Sequence, residues 1–368
     1  MTTTLKTRLT ALVFCLILLF GALGTIITED TKISLSERRT MAQMPKLTVA
    51  KVMDGNYFQD IESYATDQFI FREKFRGLKA RTALYIFRKQ DFHKIYLAQN
   101  SAISMEYPLN QQLVNGFIGK MNYIKANLLK EEQRVFYSLI PDKNYFYGPA
   151  SGHLTLNYDS MRADLAVGLT GFTYIDIFPA LKGEDYYATD SHWRQENLAE
   201  ATGLLAQGLG LSQNPFPKEY QSQSYGPFYG VYYGQSALPL KAETLIYLES
   251  PVTKAATVSH IETGKATTVY DLSLLKGMDP YDVFLSGATA VCTVTNPLNP
   301  KGRELIIFRD SFGGSIAPLL LEGYSAITLI DTRYISPKIL DQYVEFTDQD
   351  VLFLYSTGMV NQSSILRN

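Results

Sequence analysis

At 368 residues, 46% hydrophobic and 19% charged, the chain has enough apolar material for a large packed core, which excludes wholesale disorder. Its 34 Lys and Arg stand against 36 Asp and Glu with no basic stripe, which excludes the electrostatic footprint of a nucleic-acid binder. The 25 Tyr and 20 Phe fit either an aromatic core or a sugar-stacking surface.

The first residues set the compartment. Lys6 and Arg8 precede nineteen uncharged residues, Leu9 to Ile27, which Glu29 and Asp30 close. As a helix this run spans about 28 Å, enough to cross a bilayer core. Positive charge before it and negative charge after it predict a cytoplasmic N-terminus and an exported remainder. The null alternative is a signal peptide cleaved near Ala22-Leu23-Gly24, but the run is long for that role. Residues 1–28 therefore read as a single-pass cell-membrane anchor, or as a signal whose cleavage would leave a secreted protein. Cys15 lies inside the run and Cys292 stands alone outside it, so the exported part can form no internal disulfide. Cys292, in VCTVT, reads as a buried strand residue. His93, His153, His192 and His260 are widely spaced, and CxxC and HExxH are absent, so no zinc site and no cofactor are expected.

Residues 29–100 read as a stalk and helical lead-in. Thr31 to Met53 is polar, and Tyr57 to Phe92 places Phe58, Ile61, Tyr64, Phe75, Leu78, Leu84 and Phe87 at helical spacing. That predicts two amphipathic helices with a break near Asp67 to Arg72. Residues 101–368 read as an α/β domain. Asn110 to Glu132 is a further helix, and five short apolar runs follow as strands: Arg134–Ile140, Phe172–Phe178, Glu304–Phe308, Ala326–Ile330 and Val351–Tyr355. Helical stretches alternate with them at Ser160–Gly168, Gln195–Gly208, Gly314–Glu322 and Pro337–Tyr343. Continuous apolar strands alternating with helices predict a mainly parallel sheet flanked on both faces. Residues 213–291 break the pattern as a β-rich insertion, with Gly226 to Pro239 its most loop-like piece.

Ligands of open α/β sheets collect at the carboxyl ends of the strands, so the polar turns there are the candidate sites. Arg309-Asp310-Ser311 ends one strand and opens a helix, where free N–H groups favour a developing oxyanion, although Asp and Ser are also ordinary helix caps. Thr189-Asp190-Ser191-His192-Trp193 supplies what a serine nucleophile lacks: an imidazole to take its proton and a carboxylate to orient the imidazole. Each motif also has a structural reading, His192 packed on Trp193 and Asp190 capping the next helix. Lys143 and Arg333 follow strands at the same sheet edge, where either could meet a hydroxyl-rich or anionic substrate.

The exported chain resembles the DHHW family of bacterial exported proteins, related to SGNH-type hydrolases and to the alginate O-acetylation proteins. The resemblance rests on the anchor, Arg39 to Pro45 (RTMAQMP), Asp67 to Arg72 (DQFIFR), TDSHW, and Ile306 to Ile335 (IIFRDSFGGSIAPLLLEGYSAITLIDTRYI). It implies an SGNH-hydrolase-like fold with permuted motif order, and a catalytic triad of Asp190, His192 and Ser311. The first His of the namesake motif is Ser191 here, and the Gly before Asp-Ser is Arg309. For the oxyanion hole Gly287 is the candidate, followed by Ala288 and not by Asn. The activity so implied is O-acyl transfer or ester hydrolysis on a cell-surface polysaccharide, with a membrane-embedded acyl-carrying partner as donor and the aromatic loop Tyr225 to Tyr233 holding sugar. The alternative is a non-catalytic cell-envelope scaffold or glycan-binding protein on the same fold.

Overall fold

The computed structural model describes residues 3–34, 36–211 and 220–368. The chain divides into two compact units, one of residues 1–92 with 233–239, the other of 93–232 with 240–368.

In the first unit, helix α1 (Thr3–Ile27) is followed by α2 (Asn56–Asp67) and α3 (Arg72–Arg81). The break between α2 and α3 falls where the sequence predicts it. The segment expected to be a polar stalk is instead folded onto these helices, and the reason is ionic. Arg39 pairs with Asp67 at 2.5 Å, Arg72 reaches Glu37 at 2.7 Å, and Gln68 bonds both the N–H and the carbonyl of Thr31. The hydrogen bond from Arg39 holds the Asp67 carboxyl down at about 2.

The second unit is built on one large sheet. A small hairpin, β1 (Ile95–Ala98) with β2 (Ser101–Ser104), leads through α4 (Gln111–Leu128) to β3 (Val135–Ile140). There follow α5 (Lys143–Ser151), α6 (Tyr158–Gly168), β4 (Thr173–Tyr174) and α7 (Ala199–Gly208). The hairpin β5 (Gln221–Phe228) and β6 (Glu243–Glu249) precedes β7 (Thr257–His260), β8 (Ala266–Thr267) and β9 (Val291–Thr295). The chain closes with β10 (Glu304–Arg309), α8 (Gly313–Leu320), β11 (Ala326–Ile330) and β12 (Asp350–Ser356). The sheet order is β8-β7-β9-β11-β10-β12-β3-β4. From β11 to β4 every pair is parallel, and β7, β8 and β9 add antiparallel strands at one edge. This is the mainly parallel, helix-flanked sheet expected from the SGNH-type resemblance.

The alternation of side chains along a strand explains why both faces are covered. Leu305, Ile307, Leu352 and Leu354 point to one side, where they join Leu205 of α7 and Ile316 and Leu319 of α8. Ile306, Phe308, Val351 and Phe353 point to the other, against Phe117 and Met121 of α4 and Met161 and Leu165 of α6. Phe308 and Phe353 are neighbours in the parallel register and stack with centroids 4.6 Å apart.

Two expectations are corrected and one is refined. The run Phe172–Phe178 pairs only at Thr173 and Tyr174, because Asp176 takes the Phe178 N–H at 3.1 Å and Pro179 has no N–H to donate. The helical stretch Pro337–Tyr343 is present as a 3₁₀ helix over Pro337–Gln342. The β-rich insertion is only partly an excursion: β5 and β6 form their own sheet, while β7, β8 and β9 return to extend the main one. Its opening residues, 212–219, lie outside the described residues.

The Phe308–Phe353 stack predicts a large loss when one ring is removed. Phe308→Ala should lower the unfolding free energy by about 3–5 kcal/mol, read as a fall in the guanidinium midpoint at constant slope.

Candidate active site

Strand β10 ends in Arg309-Asp310-Ser311 and α8 begins at Gly313. Asp310 is buried, and its carboxylate shapes this turn. One oxygen accepts the Phe312 N–H at 3.1 Å and the other accepts the Ser356 N–H at 2.8 Å, from the end of the neighbouring strand β12. Ser311 is thereby free of capping duty, and its hydroxyl turns toward His192.

The second motif is a tight loop between Tyr186 and Trp193, which pair as an isolated bridge. Tyr187 N–H donates to the His192 carbonyl at 3.0 Å, closing the loop around Asp190. Asp190 is fully buried. Its Oδ1 accepts the His192 N–H at 3.0 Å and the His192 Nδ1–H at 2.6 Å, and its Oδ2 accepts the Val231 N–H at 2.7 Å. An ionised carboxylate only accepts, so Nδ1 carries the imidazole proton. The lone pair of Nε2 is left to face the Ser311 hydroxyl, 2.7 Å away across 119 positions of sequence. Tyr281 stacks on the imidazole at 4.0 Å and 12°, and Phe312 lies tilted against it at 5.0 Å. The ring is thus fixed by two hydrogen bonds and two aromatic faces.

A further layer holds the loop from behind. Glu243 receives the Ala188 and Thr189 N–H groups at 2.8 and 2.7 Å and the Thr189 hydroxyl at 2.6 Å, and pairs with Arg194. Gly230 presses on Asp190 so closely that a Cβ there would lie 2.2 Å from the Asp190 Cβ. Lys143 is buried below the loop, with Nζ donating to the Tyr187 carbonyl at 2.8 Å and Ser101 Oγ at 3.2 Å. Burial pushes its amine down to about 7, against the pull of Asp190 and Glu243.

Beside Ser311 opens a cavity of about 230 Å³, lined among others by His192, Asp282, Arg309, Ser311, Arg333 and Tyr334. Of the residues singled out in the sequence, Arg309 and Arg333 line it. Both guanidinium groups meet the buried Asp331, Arg333 at 2.6 Å and Arg309 at 3.8 Å. Gly287 also lines the cavity, but its N–H is engaged by the Phe284 carbonyl at 3.0 Å. Lys143 does not reach the cavity: its ammonium is occupied with backbone carbonyls under the Asp190 loop. Trp193 is buried behind the site, donating from Nε1 to Ser315 Oγ at 2.8 Å. Part of the aromatic loop expected to hold sugar buttresses the Asp190 loop, while Tyr225, Tyr229 and Tyr232 stay partly exposed. Phe228 is buried against Tyr187, and Gly230 and Tyr232 donate to Thr189. Among the described residues no group of three or more His, Cys, Asp or Glu is placed to hold a metal ion.

No protein-family model matches this chain, and no curated protein matches it. Solved structures do. A DHHW family protein from Eubacterium siraeum superposes with a TM-score of 0.58 at 18% identity, covering 76% of this chain and 97% of that one. Bacillus cereus PatB1 superposes with a TM-score of 0.54 at 14% identity, covering 72% and 96%. A second structure of PatB1, with a sulfonyl adduct, gives 0.53 at 13% identity over 72% and 97%. The chain has the fold of these proteins, in agreement with the DHHW resemblance of its sequence.

Two outcomes follow from the layer behind the loop. Glu243→Ala leaves Arg194 and two buried N–H groups without their acceptor, and should cost about 3 kcal/mol or more in a denaturation experiment. Lys143 gives a pH signature. Its folded value, about 7, lies below the ordinary 10.5, so between these values the unfolded chain binds a proton that the native one has released. Stability contributed by Lys143 therefore rises from pH 7 toward 10 and is lost as pH falls. Unfolding free energies of wild type and Lys143→Met across that window should diverge with rising pH; parallel curves would contradict the buried amine.

Proposed function

We propose that this protein is an extracytoplasmic serine O-acyltransferase or esterase that acts on a cell-surface polysaccharide. The observation that carries the reading is the unbroken hydrogen-bonded series Asp190–His192–Ser311 at the mouth of a small cavity. In the proposed reaction Ser311 Oγ attacks the carbonyl carbon of an ester while His192 Nε2 takes its proton. Asp190 holds the imidazole in the reactive tautomer and balances its positive charge. The Ser311 N–H and the Arg309 guanidinium stabilise the tetrahedral oxyanion, the latter in the position where SGNH-type relatives carry Gly. His192 then returns the proton to the departing alkoxide, leaving an acyl-Ser311 ester. An acceptor hydroxyl, from sugar or from water, gives its proton to His192 and takes the acyl group; the bond to Ser311 breaks, and His192 passes the proton to Ser311 Oγ.

The size of the cavity supports a short acyl chain. About 230 Å³ is below the range of pockets that enclose drug-sized ligands, so an acetyl group fits inside while a polymer stays at the rim. Asp279 and Asp282 line the cavity together with Arg309 and Arg333, and the buried Asp331 behind it pairs with both guanidinium groups, so no net positive charge is left to select an anionic acceptor. Helix α1 is long and apolar enough to cross a membrane from Leu5 to Ile27. As an uncleaved anchor it would hold the enzyme beside a membrane-embedded acyl-carrying protein, the donor proposed here. DHHW and PatB1 likeness supports the fold on which the reaction would run.

The test uses p-nitrophenyl acetate and a sulfonyl fluoride, the reagent class suggested by the PatB1 adduct. The sulfonyl group should add to Ser311, located by peptide mass, and the label should require His192. Ser311→Ala and His192→Ala should each lower turnover by about 10³-fold or more, and the double variant should be little worse than either, since the three residues act as one device. A folded wild type that neither turns over ester nor takes label would overturn the enzyme and leave an envelope scaffold.

A further inference from the structure

The first compact unit carries an apolar face that its own packing leaves open. Helix α3 and the π-helical turn Thr82–Ile86 that continues it bury Gly77, Ala80 and Ala83 on one side. There Arg76 donates to the Gly234 carbonyl, and Gly77 faces the Ala237 carbonyl. Phe71, Phe75, Leu78, Tyr85, Ile86 and Phe87 fall elsewhere on the surface and are between 51% and 71% exposed. Phe71, Phe75 and Leu78 follow the spacing of one helical stripe, and Tyr85, Ile86 and Phe87 stand exposed on the turn that continues it. Exposed Lys74, Lys79, Arg81, Arg88 and Lys89 surround the stripe, with the Lys74 ammonium 5.2 Å from the centre of the Phe71 ring. A contiguous apolar patch rimmed by charge marks an interaction surface.

Helix α1 identifies what covers it. Phe69 and Ile70, the two residues before Phe71, pack directly on α1: a Cβ on Gly21 would lie 3.0 Å from the Phe69 ring, and one on Gly24 would lie 2.8 Å from Ile70 Cδ1. Gly21 is six residues before the end of α1, about 9 Å along its axis. The exit from α1 is pinned to the same place, since Tyr64 donates to Asp30 at 3.0 Å and Gln68 accepts the Thr31 N–H at 3.0 Å. With Leu5–Ile27 as a membrane span, Phe69 and Ile70 sit at the depth where acyl chains meet headgroups. Phe71, one residue further, cannot be far from that level. Aromatic and apolar side chains mixed with Lys and Arg are the composition that this boundary selects.

We infer that the face formed by Phe71, Phe75, Leu78 and Tyr85–Phe87 lies on the outer surface of the membrane that α1 crosses. Its aromatic rings sit at the acyl–headgroup boundary and its Lys and Arg side chains against anionic headgroups. The inference rests on the anchored reading of α1 given above. It adds a second, flat attachment that would fix how the first unit is oriented on the lipid surface.

The experiment uses the full chain reconstituted in phosphatidylcholine–phosphatidylglycerol vesicles that contain lipid brominated near the headgroup. Phe75→Trp and Tyr85→Trp report on the face, and Tyr123→Trp on the exposed side of α4 serves as control, over the constant background of buried Trp193. Emission from positions 75 and 85 should shift to the blue and be quenched by the brominated lipid, while position 123 stays red and unquenched. Extraction by alkaline carbonate is run in parallel. A chain released by carbonate removes the anchor, and this face falls with it. A chain that is retained, with 75 and 85 no more quenched than 123, overturns the lipid assignment alone and gives the face to a protein partner.

Discussion

A carboxylate without access to water has to be met by donors, and Asp190 is that carboxylate. Burying an unpaired charge costs several kcal/mol, on the order that would unfold a marginal domain. Its oxygens accept from three N–H groups, two of His192 and one of Val231, and from the Ser191 hydroxyl at 3.4 Å. Two consequences follow from one constraint. The imidazole can satisfy Asp190 only through Nδ1, so Nε2 is presented to Ser311 without further choice. And the backbone near residue 230 must come close enough to donate, which only a glycine at 230 permits, with Thr189 O also 2.4 Å from where a Cβ would stand.

The strands contribute by aligning their ends. Asp310 bridges the tips of β10 and β12 through Ser356. Asp142, just past β3, accepts the Thr357 hydroxyl at 2.7 Å just past β12. The Tyr186 hydroxyl, at the entry of the Asp190 loop, donates to the Pro141 carbonyl. The ends of β3, β12 and β10 are therefore tied by side chains that lie outside the ladders. Along that tied edge the loop after β4 passes over two intervening strands to meet the turn after β10. Chain order is immaterial to such a meeting, which is why the Asp-x-His element can precede the serine.

These features were unequally legible in the sequence. The strands β3, β10, β11 and β12 are apolar on both faces, and a continuous apolar run of that length has no other stable home than a covered sheet. The Asp190–His192 and Ser311 turns show themselves because short polar clusters interrupt such runs at their carboxyl ends. What stays hidden is recognition between distant residues that are individually ordinary. Glu243 stands in an alternating β5–β6 hairpin and looks like a solvent-facing acid, yet it accepts two N–H groups 54 and 55 positions away. Tyr281 lies in a short 3₁₀ segment with no periodicity to mark its stacking on His192. Lys143 was visible as a charge after a strand; its direction, inward under the loop instead of outward into the cleft, is set by carbonyls of Tyr187 and Ala188 that no local pattern encodes.

Arg309 shows how a departure from a family pattern is absorbed. Where the SGNH-type pattern that the sequence resembles has Gly, a long side chain here must find room beside the serine. It folds back over the start of α8, where the residue four positions on is Gly313: a Cβ there would meet Arg309 Cβ at 2.6 Å and Cγ at 3.0 Å. The guanidinium, almost wholly buried, is then held by the Gly287 and Asp310 carbonyls at 3.2 and 3.3 Å, with its charge balanced by Asp331. Gly287 spends its carbonyl on Arg309 and its N–H on Phe284, so the group beside the serine that carries a positive charge is the Arg309 guanidinium and the Gly287 amide is already engaged. A fixed guanidinium stabilises negative charge more strongly than a neutral amide does. In the reaction proposed for Ser311, an oxyanion formed there would therefore meet the Arg309 cation beside the serine and not the Gly287 amide.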